Sequence, residues 1–435
     1  APPRPHVQAP GGQSHSRQCD RRPSCAAKAR YRSAMRLPVL LLTSLIASVP
    51  VSAESLSSLF RDEEDGKFDA SRYLADNAFG FLPVPIIITD PAVDGGLGVT
   101  GLFFHESEEQ AELRREALKD PSSGSASLLT PSLSAVAAGY TGNDSWFVGG
   151  RHIGFFRDGS IRYIGGGGYG DVNLDFFGFG EIDFEKPVEL NTEALTIIQT
   201  IKFKLGQLPL FAGFSQRYID ASIRPGNLGD LSGELLPPEY QEEWDALVRQ
   251  QLTQEVSTSA LGVIFEFDSR DNFFSPHAGY RYELEHLWYR DAFGSDIEYE
   301  LLRFKALNYW KPAERWRMAL RVDYQSASTD SLLPPFATPA IELRGIQAQR
   351  YQGNSVAVAE GEVTLQVNPR WSFNAFVGGG RAANESGELS DSSTRVTKGG
   401  GFRYLIARRY GFEMGIDIAQ GPNQTIFYIQ AGTAW

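Results

Sequence analysis

The sequence predicts an all-β protein, a 16-stranded antiparallel transmembrane β-barrel. Three observations carry that prediction. From Pro83 onward, short alternating runs are separated by turn residues; a secretory leader precedes them; and the chain stops on an aromatic residue inside an alternating strand. In the stretch Thr425 to Trp435, the residues Phe427, Ile429, Ala431, Thr433 and Trp435 share one side of an extended strand, and Tyr428, Gln430, Gly432 and Ala434 share the other. The first side suits lipid and the second a polar lumen. A terminal strand of a soluble sheet would alternate in the same way, so the ionised residues on the polar faces, the signal peptide and the terminal Trp have to decide.

Residues 1–34 are rich in Arg and Pro and lack apolar periodicity, and they are expected to be a non-native leader without a fold. Met35, Arg36, the apolar run Leu37 to Val49 and the small residues Val51-Ser52-Ala53 have the charged start, apolar middle and cleavage pattern of a signal peptide over 35–53. That run is too short to span a bilayer as a helix, and no later stretch reaches the length a helical span requires. Cys19 and Cys25 both precede residue 54 and make no zinc site, so neither a metal nor a cofactor is expected. From residue 54 the chain holds 33 basic and 52 acidic side chains, a net charge of −19, which argues against a nucleic-acid partner.

Residues 54–82 are expected to form a short periplasmic segment, in which Phe60, Phe68 and Tyr73 are spaced like a weak helix. Residues 83–435 then form the barrel. In chain order its strands are expected at 84–89, 96–105, 132–141, 146–156, 161–172, 194–205, 210–221, 258–268, 279–290, 297–309, 315–327, 354–367, 371–382, 395–405, 411–420 and 425–435. The pattern is plainest where Trp316, Met318, Leu320, Val322 and Tyr324 alternate with Arg317, Ala319, Arg321 and Asp323. It is as plain where Phe412, Met414, Ile416 and Ile418 alternate with Glu413, Gly415 and Asp417. Arg157-Asp158-Gly159-Ser160 and Asn368-Pro369-Arg370 read as tight periplasmic turns, and 222–257 and 328–353 as long outer loops. Residues 106–130 read as a charged helix on the periplasmic side. Either it caps that mouth or the register of the first strands differs.

No catalytic motif is present. His105, His152, His277 and His286 form no H-E-x-x-H pattern and no Ser lies in G-x-S-x-G, so the chain reads as a non-enzyme. A hydrolase assembled from a Ser and a His on different strands is the least favoured alternative. Gly165 to Gly168 read as a side-chain-free patch of barrel wall rather than a phosphate loop, because no helix follows. Arg344-Gly345, in the loop before the twelfth strand, is either a solvated tip or part of a loop folded back into the lumen. A lumenal guanidinium would need carboxylate or aromatic partners, and Glu360, Glu362 and Phe376 face inward on the next two strands.

Several segments together resemble the bacterial surface-antigen superfamily, the BamA- and TamA-like outer-membrane barrels. They are Asp268-Ser-Arg270-Asp271-Asn272 with Pro276 and Gly279, the Leu343-Arg344-Gly345-Ile346 loop, Gly399 to Arg403, Asp417 and the aromatic terminal strand. The resemblance implies that Arg344 inserts into the lumen against Glu362 and Phe376. It also implies a weak seam between first and last strands. Two departures stand out. Gly378 occupies the place of an Asp common in the family, and residues 54–82 leave no room for a POTRA domain before the barrel. Asp268, Arg270, Asp271 and Asn272 are expected to close a turn, while Phe427, Ile429 and Trp435 are expected to signal to the barrel-assembly machinery. The function so implied is insertion or translocation of protein or lipid at the bacterial outer membrane. Its partners would be outer-membrane lipid, the assembly machinery and protein clients. A passive channel or structural surface protein is the alternative.

Overall fold

A computed structural model describes residues 60–62, 64–76, 81–105, 132–179, 182–226, 254–273, 275–408, 411–432 and 435. The chain divides into Ala1–Leu56 and Ser57–Trp435, and every described residue belongs to the second unit. The expected signal peptide, the leader before it, the 106–130 helix and most of the 222–257 loop therefore lie outside the described residues.

Sixteen strands form one antiparallel sheet in sequence order, from β1 (Phe81–Ile88) to β16 (Thr425–Ala431). Between them run β2 (Gly96–His105), β3 (Ser132–Thr141), β4 (Trp146–Phe156), β5 (Ile161–Phe179), β6 (Ile182–Lys204), β7 (Leu210–Pro225) and β8 (Gln254–Asp268). They are followed by β9 (Gly279–Tyr289), β10 (Tyr299–Ala313), β11 (Trp316–Ser328), β12 (Ser355–Gln366), β13 (Trp371–Ala383), β14 (Arg395–Ala407) and β15 (Phe412–Gln420). The sixteen expected strands are all present, most within a few residues of their expected limits. The largest differences are β5 and β6, of 19 and 23 residues, which continue as a paired hairpin where a loop was expected. Each exceeds the ~9–11 residues that cross a bilayer, so the hairpin projects beyond the wall. The terminal strand differs as well, ending at Ala431 four residues before Trp435.

Burial decides which face is wet. Lys202, Glu266, Glu285, Glu360 and Asp417 are among the most buried side chains, whereas Val99, Val136, Phe214, Leu261, Phe373, Val377, Ile418 and Phe427 are exposed. A soluble sandwich buries its apolar face; here the apolar face points outward and the ionised face inward, as lipid outside and a polar lumen inside demand. No helix among the described residues is long and apolar enough to cross a membrane, and the strands form the wall instead.

The two end strands approach one another, yet no hydrogen-bonded register joins β1 to β16 among the described residues. Pairing of β1 with β2 runs unbroken through Pro83 and Pro85. Proline lacks an N–H, so two such residues in a continuous ladder suit an edge strand whose missing donors lie on its open side.

Phe60 to Asp76 pack against the rim that holds the β12–β13 and β14–β15 turns. One weak helix was expected. Instead Arg61 bridges Phe68 across a tight loop, and a short helix α1 (Ser71–Asp76) follows. The reason is local: the Asp62 carboxylate accepts the Glu64 N–H at 2.7 Å and Gly66 takes φ +65°, which turns the backbone before a helix can form. Phe60 then stacks on Phe68 and Tyr73, at 5.6 and 4.8 Å between ring centroids.

Candidate functional site

The β11–β12 loop folds inward, and its apolar residues do part of the work. Ile341, Leu343 and Ile346 are buried against Val356 and Val358 of β12. At roughly 1.5–3 kcal/mol for each fully buried side chain, this cluster offsets part of the entropy lost in ordering a long loop.

Alternation along β12, β13 and β15 points Glu360, Glu362, Phe376, Asn374 and Asp417 into one region of the lumen, and Arg344 enters it. Arg344 Nε donates to Glu360 at 2.8 Å, and its Nη1 donates to Glu362 and to Asp417, each at 2.8 Å. The guanidinium carbon lies 3.4 Å from the centre of the Phe376 ring, a cation–π contact in a desolvated setting. Arg403 makes two further hydrogen bonds to Asp417, at 2.7 and 2.8 Å, and Asn374 another at 3.1 Å. Three carboxylates, those of Glu360 and Asp417 buried and that of Glu362 partly so, thus converge on two guanidinium groups, and the pairing compensates the charges that burial removes from water.

Gly378 fits this arrangement. A Cβ there would lie 2.9 Å from Leu343 Cδ2 and 3.2 Å from Glu360 Cγ, so a side chain would compete with the loop. The third carboxylate of the cluster comes from Asp417 of β15, and β13 carries no acidic residue. Gly345 needs to be glycine twice over: its φ is +92°, and a Cβ would lie 2.9 Å from the Gly421 nitrogen. Its N–H donates to the Tyr428 hydroxyl of β16 at 2.9 Å.

Trp435 departs from its expected place. It does not continue the outward row of Phe427, Ile429 and Ala431; its indole Nε1 donates to Glu360 at 2.7 Å and its ring lies 5.6 Å from the Arg344 guanidinium. Gly432, at φ +82°, ends the regular strand and lets the chain turn inward. Phe427 remains half exposed on the outer wall, and Ile429 shares its face. On the opposite flank, the Ala348 N–H donates to Asp90, between β1 and β2, at 3.2 Å. One loop therefore touches both sides of the β1–β16 gap, through Tyr428 and Trp435 on one side and Asp90 on the other.

The Asp268 to Asn272 segment closes the β8–β9 turn. Arg270 Nε donates to Asp268 at 2.9 Å, Arg162 reaches the same carboxylate at 2.7 Å, and Asp271 accepts the His277 N–H at 2.9 Å. Asn272 accepts the Ser275 N–H at 2.9 Å. The carboxylates that Arg344 pairs with are Glu360, Glu362 and Asp417, not those of this cluster.

Two groupings had no sequence signal beyond strand alternation and turn position. Arg370, in the β12–β13 turn, is fully buried and donates to Asp62, Asp65 and Asp69 at 2.5, 2.7 and 2.6 Å. On the outer wall, Ser134 lies between His105 Nε2 at 2.9 Å and His152 Nδ1 at 2.8 Å. Neither imidazole has a further hydrogen-bond partner among the described residues, so the trio lacks the group that fixes the tautomer of a catalytic base. No group of His, Cys, Asp and Glu suited to a metal occurs among the described residues.

No protein-family profile and no curated protein matches the chain. Solved structures do. CdiB from Escherichia coli matches over 80% of this chain and 62% of its own, at 10% identity and a TM-score of 0.50. BamA from Haemophilus ducreyi lacking POTRA domains 1–3 matches over 88% of this chain and 82% of its own, at 11% identity and a TM-score of 0.49. CdiB from Acinetobacter baumannii matches over 80% and 60%, at 10% identity and a TM-score of 0.47. The chain spans less than two thirds of the length of either CdiB. The likeness to the Escherichia coli structure is one of fold: both are barrels of the same architecture.

Proposed function

We propose that the chain is a bacterial outer-membrane barrel that inserts or translocates protein or lipid, working through the β1–β16 gap. One observation carries the reading most directly: a single lumenal loop holds both flanks of an edge that no ladder closes among the described residues. The edge can part without breaking a run of backbone hydrogen bonds, while Arg344 keeps the loop in register with β12, β13 and β15. The likeness of fold to CdiB from Escherichia coli supports this reading. In it, Phe427 and Ile429 form the lipid-facing end of an assembly signal, and Trp435 completes that signal before its indole docks on Glu360. Outer-membrane lipid, the assembly machinery and unfolded protein clients are the partners it calls for.

The test uses the absence of cysteine after residue 53. Cysteine pairs scanned between Val84 to Ile87 and Thr425 to Tyr428, in a chain carrying C19S and C25S, would lock the gap on oxidation. In liposomes, the reduced barrel should speed insertion of an unfolded outer-membrane barrel or transbilayer movement of a labelled phospholipid. Oxidation should stop it and reductant restore it. If neither form exceeds empty liposomes, and planar bilayers show large, steady conductance, the chain is a passive channel.

A further inference from the structure

A chamber of about 530 Å3 lies inside the barrel, away from the Arg344 cluster. Its wall carries Arg151, Lys202, Arg217, Arg281, Arg303 and Lys305 but, of carboxylates, only Glu283 and Glu285. Six cations face two anions, in a chain whose net charge from residue 54 is −19. Such a local reversal needs a cause.

Neighbouring carboxylates neutralise part of the set. Lys202 pairs with Glu266 at 2.7 Å, Arg281 with Glu266 at 2.9 Å and with Glu283 at 2.5 Å. Arg217 and Arg303 share Glu285, at 2.7 and 3.6 Å. Arg162, next to the chamber, draws on Glu266 as well, at 2.8 Å. The carboxylates are thereby committed. Arg151 and Lys305 have no ion pair and no hydrogen bond among the described residues. Glu283 acts on Arg151 and Asp323 on Lys305 only from beyond ion-pair distance, so the donor atoms of both side chains stay open to an anion that enters the chamber.

The floor is built to leave room. Arg151 of β4 pairs in register with Gly166 of β5. A Cβ at Gly166 would lie 2.6 Å from the Gly150 carbonyl oxygen, and one at Gly168 would lie 3.1 Å from that of Val148. Bare backbone therefore lies beside the guanidinium, where any side chain would fill the space. This gives the run Gly165 to Gly168 a role other than a plain patch of wall.

We propose that this chamber binds a phosphate-bearing anion, with Arg151 supplying a planar two-point donor and Lys305 a point charge. The ligand is either a free phosphate compound or the phosphorylated headgroup of a lipid. The inference is independent of whether the β1–β16 gap opens, because neither cation takes part in that gap.

Calorimetric titration of the purified barrel in zwitterionic detergent with inorganic pyrophosphate tests the free-anion source. Titration of the barrel in phosphatidylcholine nanodiscs with short-chain phosphatidic acid tests the headgroup source. Binding is expected for at least one probe, weakening as salt rises, and bound probe should raise the unfolding temperature. The double variant R151Q/K305Q should lose roughly tenfold or more in affinity for each cation removed, while R151K/K305R retains binding. Because neither side chain forms an ion pair or hydrogen bond that holds two strands together among the described residues, both variants should keep wild-type heat-modifiability on gels. The proposal is overturned if wild type binds neither probe, or if R151Q/K305Q binds as tightly as wild type. Binding of pyrophosphate alone would assign a free anion, and binding of phosphatidic acid alone a headgroup.

Discussion

At the scale of single residues, Arg344 has the most to lose. Removing its charge leaves Asp417 with Arg403, Glu360 with Arg321 at 3.9 Å, and Glu362 with no ion pair among the described residues, and a buried charge stripped of its partner costs about 3–5 kcal/mol. Arg344→Ala should therefore lower the temperature at which the folded band disappears on unheated-sample gels. Arg344→Lys should recover only part, because an ammonium cannot reproduce three hydrogen bonds and the stacking on Phe376. Unchanged mobility and melting in the Ala variant would sink the anchoring role. Gly378→Asp tests the same cluster from the other side. With Asp417 already in place, a fourth carboxylate beside Leu343 should destabilise the barrel rather than reinforce it, and a rise in melting temperature would contradict this account. The sequence showed Arg344, Glu362 and Phe376 as candidates because alternation sets facing. It did not show that Asp417, 73 residues from Arg344 in sequence, meets the same nitrogen as Glu362. Only closure of the sheet brings β15 beside that loop.

At the scale of elements, the segment before the barrel is held by charge. Hydrogen bonding from Arg370 holds the Asp65 carboxyl at about 2, helped by the Lys67 N–H against the opposing effect of burial. A carboxyl whose folded pKa is depressed contributes stability that is complete above its unfolded value, near 4. That contribution is lost as pH falls toward the folded value. A fluorophore on K67C, in a chain carrying C19S and C25S, should therefore show constant anisotropy from pH 7 down to about 4 and gain mobility between about 4 and 2. Arg370→Ala should show that mobility already at pH 7. Flat anisotropy across the whole range in both proteins would remove the clamp from the account. The composition of 54–82 marked it as polar and short, but the three-carboxylate cage around Arg370 joins residues about 300 apart in sequence. No local pattern encodes such a meeting.

At the scale of the whole molecule, the ladder is continuous from β1 to β16 and open between them. Amides of β1 and β16 should exchange with solvent sooner than those of β6, β7 and β8, which are paired on both sides along most of their length. Equal protection in the end strands would show a closed ladder and remove the mechanical basis of the proposed function.

The sequence by itself determined the number of strands, most of their limits and which residues face in or out. A strand's period of two is local, and turn residues mark where each period restarts. Tertiary structure decided what alternation cannot express: that Trp435 leaves the lipid face for Glu360, and that one loop bridges both flanks of the gap. It also decided that two cations are left unpaired beside a floor of glycine. Facing is a property of neighbours in sequence, whereas pairing and enclosure depend on which distant strands the barrel brings around to meet.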